Sequence, residues 1–272
     1  MKQNPGNRSC CAHYASRYLP LTENWIYRLI INHQQYKPIF LSRKKENLSR
    51  FPMTDLYSLD DFGLVRQYLE LFYFKITGYF PFQLRACDQN HVELLHVHFG
   101  YHGAKLIGLK KRLSIPMVCS FYGDDAFASM HAGKYDTLFK VADKILVLGP
   151  YMKSELIRLG CTEDKLLIHH LGIDVDKLKF VKRTVKKGSR LRFLIASSFL
   201  PKKGVDLAIE ALSACKDEFD FSVDVIGDGP LKTEILKRIE AGGMQNRVTL
   251  HGYQSYEYFI NLAYQCDVFI QA

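Results

Sequence analysis

The chain has 272 residues, of which 47% are hydrophobic and 24% are charged. This composition is typical of an ordinary soluble globular protein and excludes an intrinsically disordered one. Residues 1–200 carry 30 Lys plus Arg against 17 Asp plus Glu, whereas residues 201–272 are net acidic, so the first part can attract phosphate-bearing partners. Anionic lipids, lipid pyrophosphates and nucleic acid all remain candidates on charge alone.

The first 176 residues predict a parallel α/β domain, because short apolar runs alternate with amphipathic helical stretches. The pattern predicts a first strand at RSCCAHYA (8–15), an N-cap at Thr22 for the helix that follows, and a second strand at YKPIFLS (36–42). HVELLHVHF (91–99), PMVCSFYG (116–123), KILVLG (144–149) and LLIHHLG (166–172) read as strands buried on both faces.

The segment from Phe62 to Leu84 contains many apolar residues but is interrupted by charged residues, Gly78 and Pro81. No run of 18 apolar residues occurs anywhere, so we expect no membrane-spanning helix. An amphipathic helix is predicted instead, either packed within its own domain or lying on a membrane surface. The seven cysteines form no C-x-x-C pair, which favours buried free thiols in the cytoplasm.

Residues 177–190 are polar and basic without an apolar period, which predicts an interdomain linker. A second βα series then occupies residues 191–272. Its first helix carries an apolar stripe at Val205, Ala208, Ile209 and Leu212, and its fourth strand begins at DVFIQA. A buried parallel strand needs a crossover to cover it, so we expect this second domain to be incomplete and the chain to be C-terminally truncated.

Histidines and glycines stand at the ends of several predicted strands. In HVHFGYHG (96–103), His98 ends a strand, where ligands bind in open α/β sheets, whereas His96 is more typical of a packed core residue. His96 and His98 share a strand face that could hold a metal, but no acidic or cysteine ligands accompany them, so no metal site is predicted.

The motif YGDD (122–125) resembles the metal-binding turn of RNA-dependent polymerases. That mechanism needs its carboxylates together in one palm sheet. The segment after Asp125 predicts a helix rather than the returning strand of a hairpin, which disfavours a polymerase.

Two loops of the second domain could receive phosphate. In IASSFLPKKGVDLAIEAL (195–212), a strand leads through Lys203 and Gly204 into a helix N-terminus, whose free N–H groups and positive dipole attract anions. The next strand ends in Gly227, Asp228 and Gly229, where glycine permits a close approach of the backbone to a ligand. A solvated pair of surface lysines is the alternative interpretation of the first loop.

Taken in order, these segments resemble glycosyltransferase family 4, the retaining GT-B enzymes, and particularly its colanic-acid and exopolysaccharide branch. HVHFGYHG is similar to that branch's HxHFG, SFYGDD to its TFHGxD, and SSFLPKKGVDLAIEA, VIGDGPL and VTLHGY to the start of the donor domain. The resemblance covers nearly the whole chain and implies two Rossmann-like domains, the second of them incomplete.

The sequence departs from the family pattern at three places. Tyr122 stands where the family commonly has histidine, and Ser198 stands where it usually has an arginine paired with the donor-loop lysine. The family's E-x7-E segment, which holds the donor sugar and ribose, would lie beyond Ala272, so we expect this chain alone to be inactive.

The resemblance implies transfer of a sugar, with retention, from a nucleotide diphosphate sugar to a glycan or lipid-linked acceptor, in polysaccharide synthesis. It places His98, Tyr122 and Asp125 on the acceptor side, and it assigns the diphosphate to Ser198, Lys203, Gly227, Asp228 and Gly229. Neither a cofactor nor a metal is required. The protein would act in the cytoplasm, with a peripheral contact to the inner membrane face and without nucleic acid. A non-catalytic, nucleotide-sugar-binding remnant and a nucleic-acid-binding protein are the alternatives.

Overall fold

A computed structural model describes residues 8–127 and 132–271. The chain forms two compact units, which are described separately: unit 1 extends to Ile173, and unit 2 begins at Asp174. Both units consist of parallel strands and helices, as the alternating pattern predicts. None of the helices in these ranges combines the length and apolar character that crossing a bilayer requires.

Unit 1 contains a parallel sheet in the order β5-β3-β1-β6-β7-β8-β9 and a separate pair of β2 with β4. Its strands are β1 (Ser9–Tyr14), β2 (Arg17–Tyr18), β3 (Tyr36–Ser42), β4 (Lys44–Lys45), β5 (Leu56–Ser58), β6 (Val92–His98), β7 (Met117–Ser120), β8 (Lys144–Val147) and β9 (Leu166–Ile168). From β1 the chain builds outward through β3 and β5, and it then returns to the other side of β1 with β6. The boundary between β1 and β6 is therefore the topological switch point of this sheet, the position at which such folds bind ligands.

Helices cover the large sheet of unit 1. They are α1 (Asn24–Ile31), α2 (Leu64–Thr77), α3 (Pro81–Gln89), α4 (Gly100–Lys105), α5 (Ile107–Leu113), α6 (Asp136–Val141) and α7 (Pro150–Arg158). Central strand residues such as Ala12, Leu95 and Ile145 are completely buried in the main hydrophobic core, as strands covered on both faces should be.

One detail of the predicted helices was wrong, and a second helix falls partly on residues outside the described ranges. Thr22 is not an N-cap, because it lies inside a 3-10 turn (Leu21–Glu23) that follows Pro20 and lacks a side-chain cap. Of the helix predicted after Asp125, the described residues contain a 3-10 turn (Asp124–Ala126) and α6, and residues 128–131 lie outside the described residues.

The α2 helix turns its apolar side outward. Seven large apolar side chains repeat at intervals of four residues along one face and are between 41% and 77% exposed: Leu64, Val65, Tyr68, Leu69, Phe72, Tyr73 and Ile76. The opposite face contains buried Glu70, whose carboxylate accepts a hydrogen bond from the backbone N–H of Phe82 at 3.1 Å. The amphipathic helix predicted for this segment is thus present, with its apolar face exposed among the described residues.

Unit 2 is a parallel sheet in the order β12-β11-β10-β13. Its elements are β10 (Leu191–Ala196), α8 (Val205–Ala214), β11 (Phe221–Ile226), α9 (Lys232–Ala241), β12 (Val248–Gly252), α10 (Tyr256–Ala263) and β13 (Val268–Ile270). The predicted stripe of Val205, Ala208, Ile209 and Leu212 is buried against the sheet. Here the switch point lies between β10 and β13, so the loop after β10 opens at the ligand-binding edge.

Candidate functional site

A row of hydrogen-bonded aromatic side chains crosses the switch point of unit 1. Residue 13 near the end of β1 pairs in register with residue 96 of β6, and His98 ends β6. Nδ1 of His13 lies 3.1 Å from Nε2 of His98, and Nε2 of His13 lies 3.0 Å from Nε2 of His33. Nδ1 of His98 lies 2.7 Å from the hydroxyl of Tyr122. The row thus runs from half-buried His33 through two buried imidazoles to half-buried Tyr122.

Burial keeps the inner imidazoles neutral. It lowers the pKa of His13 and His98 well below the usual range, with a further contribution from the neighbouring histidines, and it lowers the pKa of His96 to about 3. A neutral imidazole carries one N–H donor and one acceptor nitrogen. Each inner ring can therefore donate to one neighbour and accept from the other, so the row satisfies its buried polar atoms without any charge.

Two further contacts hold this row in place. Nε2 of His96 lies 2.8 Å from the hydroxyl of Ser120, and Nδ1 of His102 donates to the backbone carbonyl of His98 at 2.9 Å. The ring planes of His13 and His98 are nearly parallel, with an angle of 11° between them. Together these contacts fix the orientation of His98 from several sides.

Asp125 shapes the loop that carries Tyr122. One carboxylate oxygen accepts the backbone N–H groups of Tyr122 and Gly123, at 3.0 and 2.9 Å, and the other accepts that of Gly100 at 2.9 Å. Burial raises the pKa of Asp125, and these N–H donors act in the opposite direction because they stabilise the ionised form. The side chain therefore couples the loop after β7 to the start of α4.

The backbone beside His98 is constrained as well. Phe99 adopts a positive φ of 73°, which is unfavourable for a residue with a side chain. Gly100 then passes so close to Phe121 that a Cβ at Gly100 would lie 2.1 Å from the ring. The HFG motif is thus explained by packing at the strand end.

Glu23 is a perturbed carboxyl near the same site. Burial raises its pKa to about 7, a trend that the nearby Arg17 reduces. Its negative charge also contributes to the raised pKa of Tyr122, although burial of that phenol is the larger cause. Perturbed carboxyls are frequent in binding sites, so Glu23 joins the candidate residues.

The structure places the sequence-predicted residues of unit 1 together but corrects the exposure expected for His98. His98, Tyr122 and Asp125 lie within one loop cluster, yet His98 is completely buried, because β1 and its His13 cover it. Tyr122 is the partly exposed member of the pair. Sequence reasoning missed His13, although its place in the predicted first strand was a usable signal, and it missed His33 and Glu23, whose loop and turn positions gave none.

In unit 2 the two predicted loops pack against each other. The backbone N–H of Phe199 donates to the carbonyl of Asp228 at 2.9 Å. A Cβ at Gly227 would lie 1.9 Å from the carbonyl oxygen of Ser197, and Gly227 has a φ of +145°. Close contact with the neighbouring loop therefore accounts for this glycine without a ligand.

The charged side chains of these two loops, Asp228 and Lys203, differ in whether another group of the protein already binds them. Asp228 accepts a hydrogen bond from Lys232, which lowers the pKa of the Asp228 carboxyl, and from the N–H of Gly229. Its carboxylate would repel a diphosphate, so only its backbone suits that ligand. Lys203 lies one residue before Gly204, the N-cap of α8, and its ammonium has no hydrogen-bond or ion-pair partner among the described residues.

Two units of parallel α/β structure, each with polar groups at the carboxyl edge of its sheet, define the GT-B class of fold. Residues 55–177 match the family described as Glycosyltransferase Family 4, and residues 176–272 match Glycosyl transferases group 1. Together the matches extend over residues 55–272, and the chain belongs to the family 4 glycosyltransferases.

Curated relatives agree with this assignment. The chain is 28% identical over 185 residues to the amylovoran biosynthesis glycosyltransferase AmsK of Erwinia amylovora, covering 65% of this chain and 45% of that protein. It is 26% identical over 184 residues to an uncharacterized glycosyltransferase of Methanocaldococcus jannaschii, covering 66% and 49%. The alignments thus span about half the length of these relatives.

Solved structures share the fold at low sequence identity. HepE of Anabaena, in complex with UDP and glucose, aligns with a TM-score of 0.72 at 13% identity and covers 97% of this chain and 74% of that one. A glycosyltransferase from Rickettsia africae aligns with a TM-score of 0.70 at 17% identity, covering 98% and 73%.

Proposed function

We propose that this protein transfers a sugar from a nucleotide diphosphate sugar to a glycan or lipid-linked acceptor in polysaccharide biosynthesis, with retention of the anomeric configuration. The observation that carries the proposal is the Lys203 ammonium at the entrance to α8, on the ligand-binding edge of unit 2, which is unpaired in the part of the chain that the structure describes. Two relatives support the substrate class: AmsK is named for amylovoran biosynthesis, and HepE has been solved with UDP-glucose.

In this proposal unit 2 binds the donor. Lys203, the N–H groups at the start of α8, the Ser198 hydroxyl and the backbone at residues 227–229 neutralise the diphosphate and its departing charge. No metal ion is needed for that step. Retention follows if the acceptor attacks from the same face as the leaving phosphate, which then takes its proton, so no protein nucleophile is required.

Unit 1 receives the acceptor in the same proposal. Tyr122 presents its hydroxyl to the acceptor, while buried His98 orients that hydroxyl and Asp125 holds the loop. His98 is thus a positioning residue. Because its ring is enclosed, replacing His98 affects acceptor use through Tyr122 and also lowers the stability of unit 1.

Calorimetric titration tests the donor site. We expect Lys203→Ala to weaken the binding of UDP- and GDP-sugars by about 1.5–3 kcal/mol, the contribution of a charged hydrogen bond, which is roughly a 10- to 150-fold loss of affinity. Lys237→Ala removes an exposed lysine from α9 of the same unit and serves as the charge-matched control. Equal affinities of the two variants would refute the role of Lys203. Nucleotide-sugar binding without turnover, in a chain extended through the E-x7-E segment, would favour the non-catalytic alternative.

We further propose that the exposed apolar face of α2 rests on the cytoplasmic surface of an anionic membrane, where a lipid-linked acceptor is found. Lys75 flanks that face on α2, and so does Arg66, which also lies 3.8 Å from the carboxylate of Glu70. Apolar side chains bordered by cations suit the boundary between acyl chains and anionic head groups.

Vesicle flotation tests this surface. The chain should float with vesicles of phosphatidylglycerol and phosphatidylcholine, less with phosphatidylcholine alone, and at least tenfold less when Leu69→Glu and Phe72→Glu are combined. Val185→Glu, at another exposed apolar residue, is the control. Equal flotation of both variants, or self-association through α2 in place of lipid binding, would contradict the membrane contact.

A further inference from the structure

The imidazoles of His13, His96 and His98 form a cluster at the switch point of unit 1 that the donor chemistry does not use. One ligand nitrogen from each residue can be chosen so that all three lie within 4.8 Å of one another. All three side chains are buried, with at most 6% of their surface exposed. Residues 96 and 98 share a face of β6, and residue 13 is the register partner of residue 96 on β1, so the parallel pairing itself assembles the triad.

We propose that these three histidines bind a divalent transition-metal cation, with Zn²⁺ as the first candidate. Three imidazole nitrogens with a fourth position left for water or another oxygen is a recurring zinc arrangement, and imidazole also suits Co²⁺, Ni²⁺ and Cu²⁺. The site belongs wholly to unit 1 and is independent of the donor loops of unit 2.

The spacing of two of the three ligand nitrogens fits such an ion, and the nitrogen of His96, which lies within 4.8 Å of the other two, would move closer on binding. With Zn–N bonds of about 2.0–2.1 Å in a tetrahedron, two ligand nitrogens stand roughly 3.3 Å apart. Nδ1 of His13 and Nε2 of His98 are separated by 3.1 Å. A bound cation would replace the proton that these two nitrogens share, and each ring would tilt by roughly 35° to turn its lone pair from the other nitrogen toward the metal.

The surroundings supply the outer contacts that a metal-binding histidine needs. If Nδ1 of His13 binds the metal, Nε2 of the same ring remains hydrogen-bonded to His33. If Nε2 of His98 binds the metal, Nδ1 of that ring remains hydrogen-bonded to the hydroxyl of Tyr122. Such second hydrogen bonds fix the tautomer and the ring orientation of metal ligands. Half-buried His33 also marks the side from which an ion can enter.

Metal analysis of the whole chain tests the proposal. The protein is purified from zinc-supplemented medium, passed through a desalting column and measured by inductively coupled plasma mass spectrometry. We expect about one equivalent of zinc per chain, together with an absorption band of tetrahedral Co²⁺ when cobalt replaces it. His13→Asn and His98→Gln should lower the metal content at least tenfold, whereas His170→Ala, which removes an exposed histidine of the same unit, should retain it.

Circular dichroism shows whether each variant folds, and the Co²⁺ spectrum of the wild type tests metal binding without any substitution. If a buried-histidine variant does not fold, the wild-type zinc content and Co²⁺ spectrum decide the matter alone. A folded wild-type chain that retains no zinc and gives no Co²⁺ band overturns the proposal and leaves a row of hydrogen-bonded neutral imidazoles. Nucleotide-sugar affinity measured with and without EDTA separates this outcome from a failure of the donor site, because the donor loops contain no histidine.

Discussion

The carboxylate of Asp125 holds the backbone of the loop that carries Tyr122. Three backbone N–H groups from two segments converge on its oxygens, at 2.9–3.0 Å. A buried N–H group that loses its acceptor destabilises the folded state, and a hydrogen bond to a charged acceptor contributes more to stability than a hydrogen bond to a neutral one. The family resemblance placed this aspartate on the acceptor side, whereas the geometry gives it a defined structural task there.

We therefore expect Asp125→Asn to lower the free energy of unfolding of unit 1 by about 2–3 kcal/mol, because the amide NH₂ cannot accept the N–H that one carboxylate oxygen now takes. Thermal melting followed by circular dichroism measures the change. Asp124→Asn, at the exposed neighbouring residue, is the control and should have the smaller effect. Equal melting temperatures for both variants would contradict the bonding scheme.

Glu23 predicts a pH dependence with a definite sign. Its pKa in the folded chain is raised to about 7, against roughly 4.3 in the unfolded chain, so the folded state holds this proton more tightly. Between these two values the unfolded state binds fewer protons, and stability contributed by this group is lost as the pH rises from about 4.3 to about 7. Above pH 7 the contribution is constant.

Glu23→Gln should remove this part of the pH dependence and raise the stability at pH 8 relative to the wild type. Urea unfolding between pH 4.5 and pH 8 measures it. Glu46→Gln removes a neighbouring carboxylate and is the control, which should keep the downward slope. A wild-type slope that Glu23→Gln leaves unchanged would show that another group is responsible.

At the scale of elements, α2 carries two phenylalanines with opposite surroundings. Phe72 is 65% exposed, whereas Phe74 packs into the cluster of Leu59, Phe80 and Phe82, with its ring stacked at 4.5 Å on Phe80. The apolar period of α2 is visible in the sequence, but it does not say which face meets the sheet. The buried Glu70 and its bond to Phe82 decide that orientation.

The pair gives a matched stability test. Phe74→Ala should cost about 2 kcal/mol or more in unfolding free energy, because it empties space in a packed cluster. Phe72→Ala should stay within about 0.5 kcal/mol, because its side chain already faces solvent. Chemical denaturation of the two variants compares them directly, and the reverse order would mean that α2 is rotated relative to the described orientation.

At the scale of the whole molecule, two compact units are joined by a polar segment. Apart from a 3-10 turn (Val175–Lys177), the segment up to residue 190 has no regular structure, and residues 181–190 are all exposed. Exposed irregular backbone fits readily into a protease active site. The basic residues that predict a linker in the sequence are also cleavage sites for trypsin.

Limited trypsin digestion should therefore cut first after Lys186 or Lys187 and release two fragments, one containing all of unit 1 and the other containing the sheet of unit 2. Mass spectrometry at short times identifies the cuts. Replacing both lysines with glutamine should slow the separation of the fragments without changing the melting temperature. First cuts within α8 or α9 would contradict the division of the chain at this segment.

The sequence by itself determined the parallel α/β architecture, most strand positions, the stripe on α8 and the family. These follow from hydrophobic period, turn residues and ordered motifs, which act over a few neighbouring positions. It also placed Tyr122 and Asp125 at strand ends, because carboxyl ends of parallel strands gather at one edge.

Only the tertiary structure decided what depends on contacts between distant segments. His13 and His98 meet because β1 pairs with β6 across 85 positions of sequence, and that pairing buries the histidine expected to be open. The same holds for Gly227, where the neighbouring loop leaves no room for a side chain, and for α2, whose apolar face points outward. Local pattern fixes which residues are apolar or flexible, whereas the packing of remote segments fixes what those residues touch.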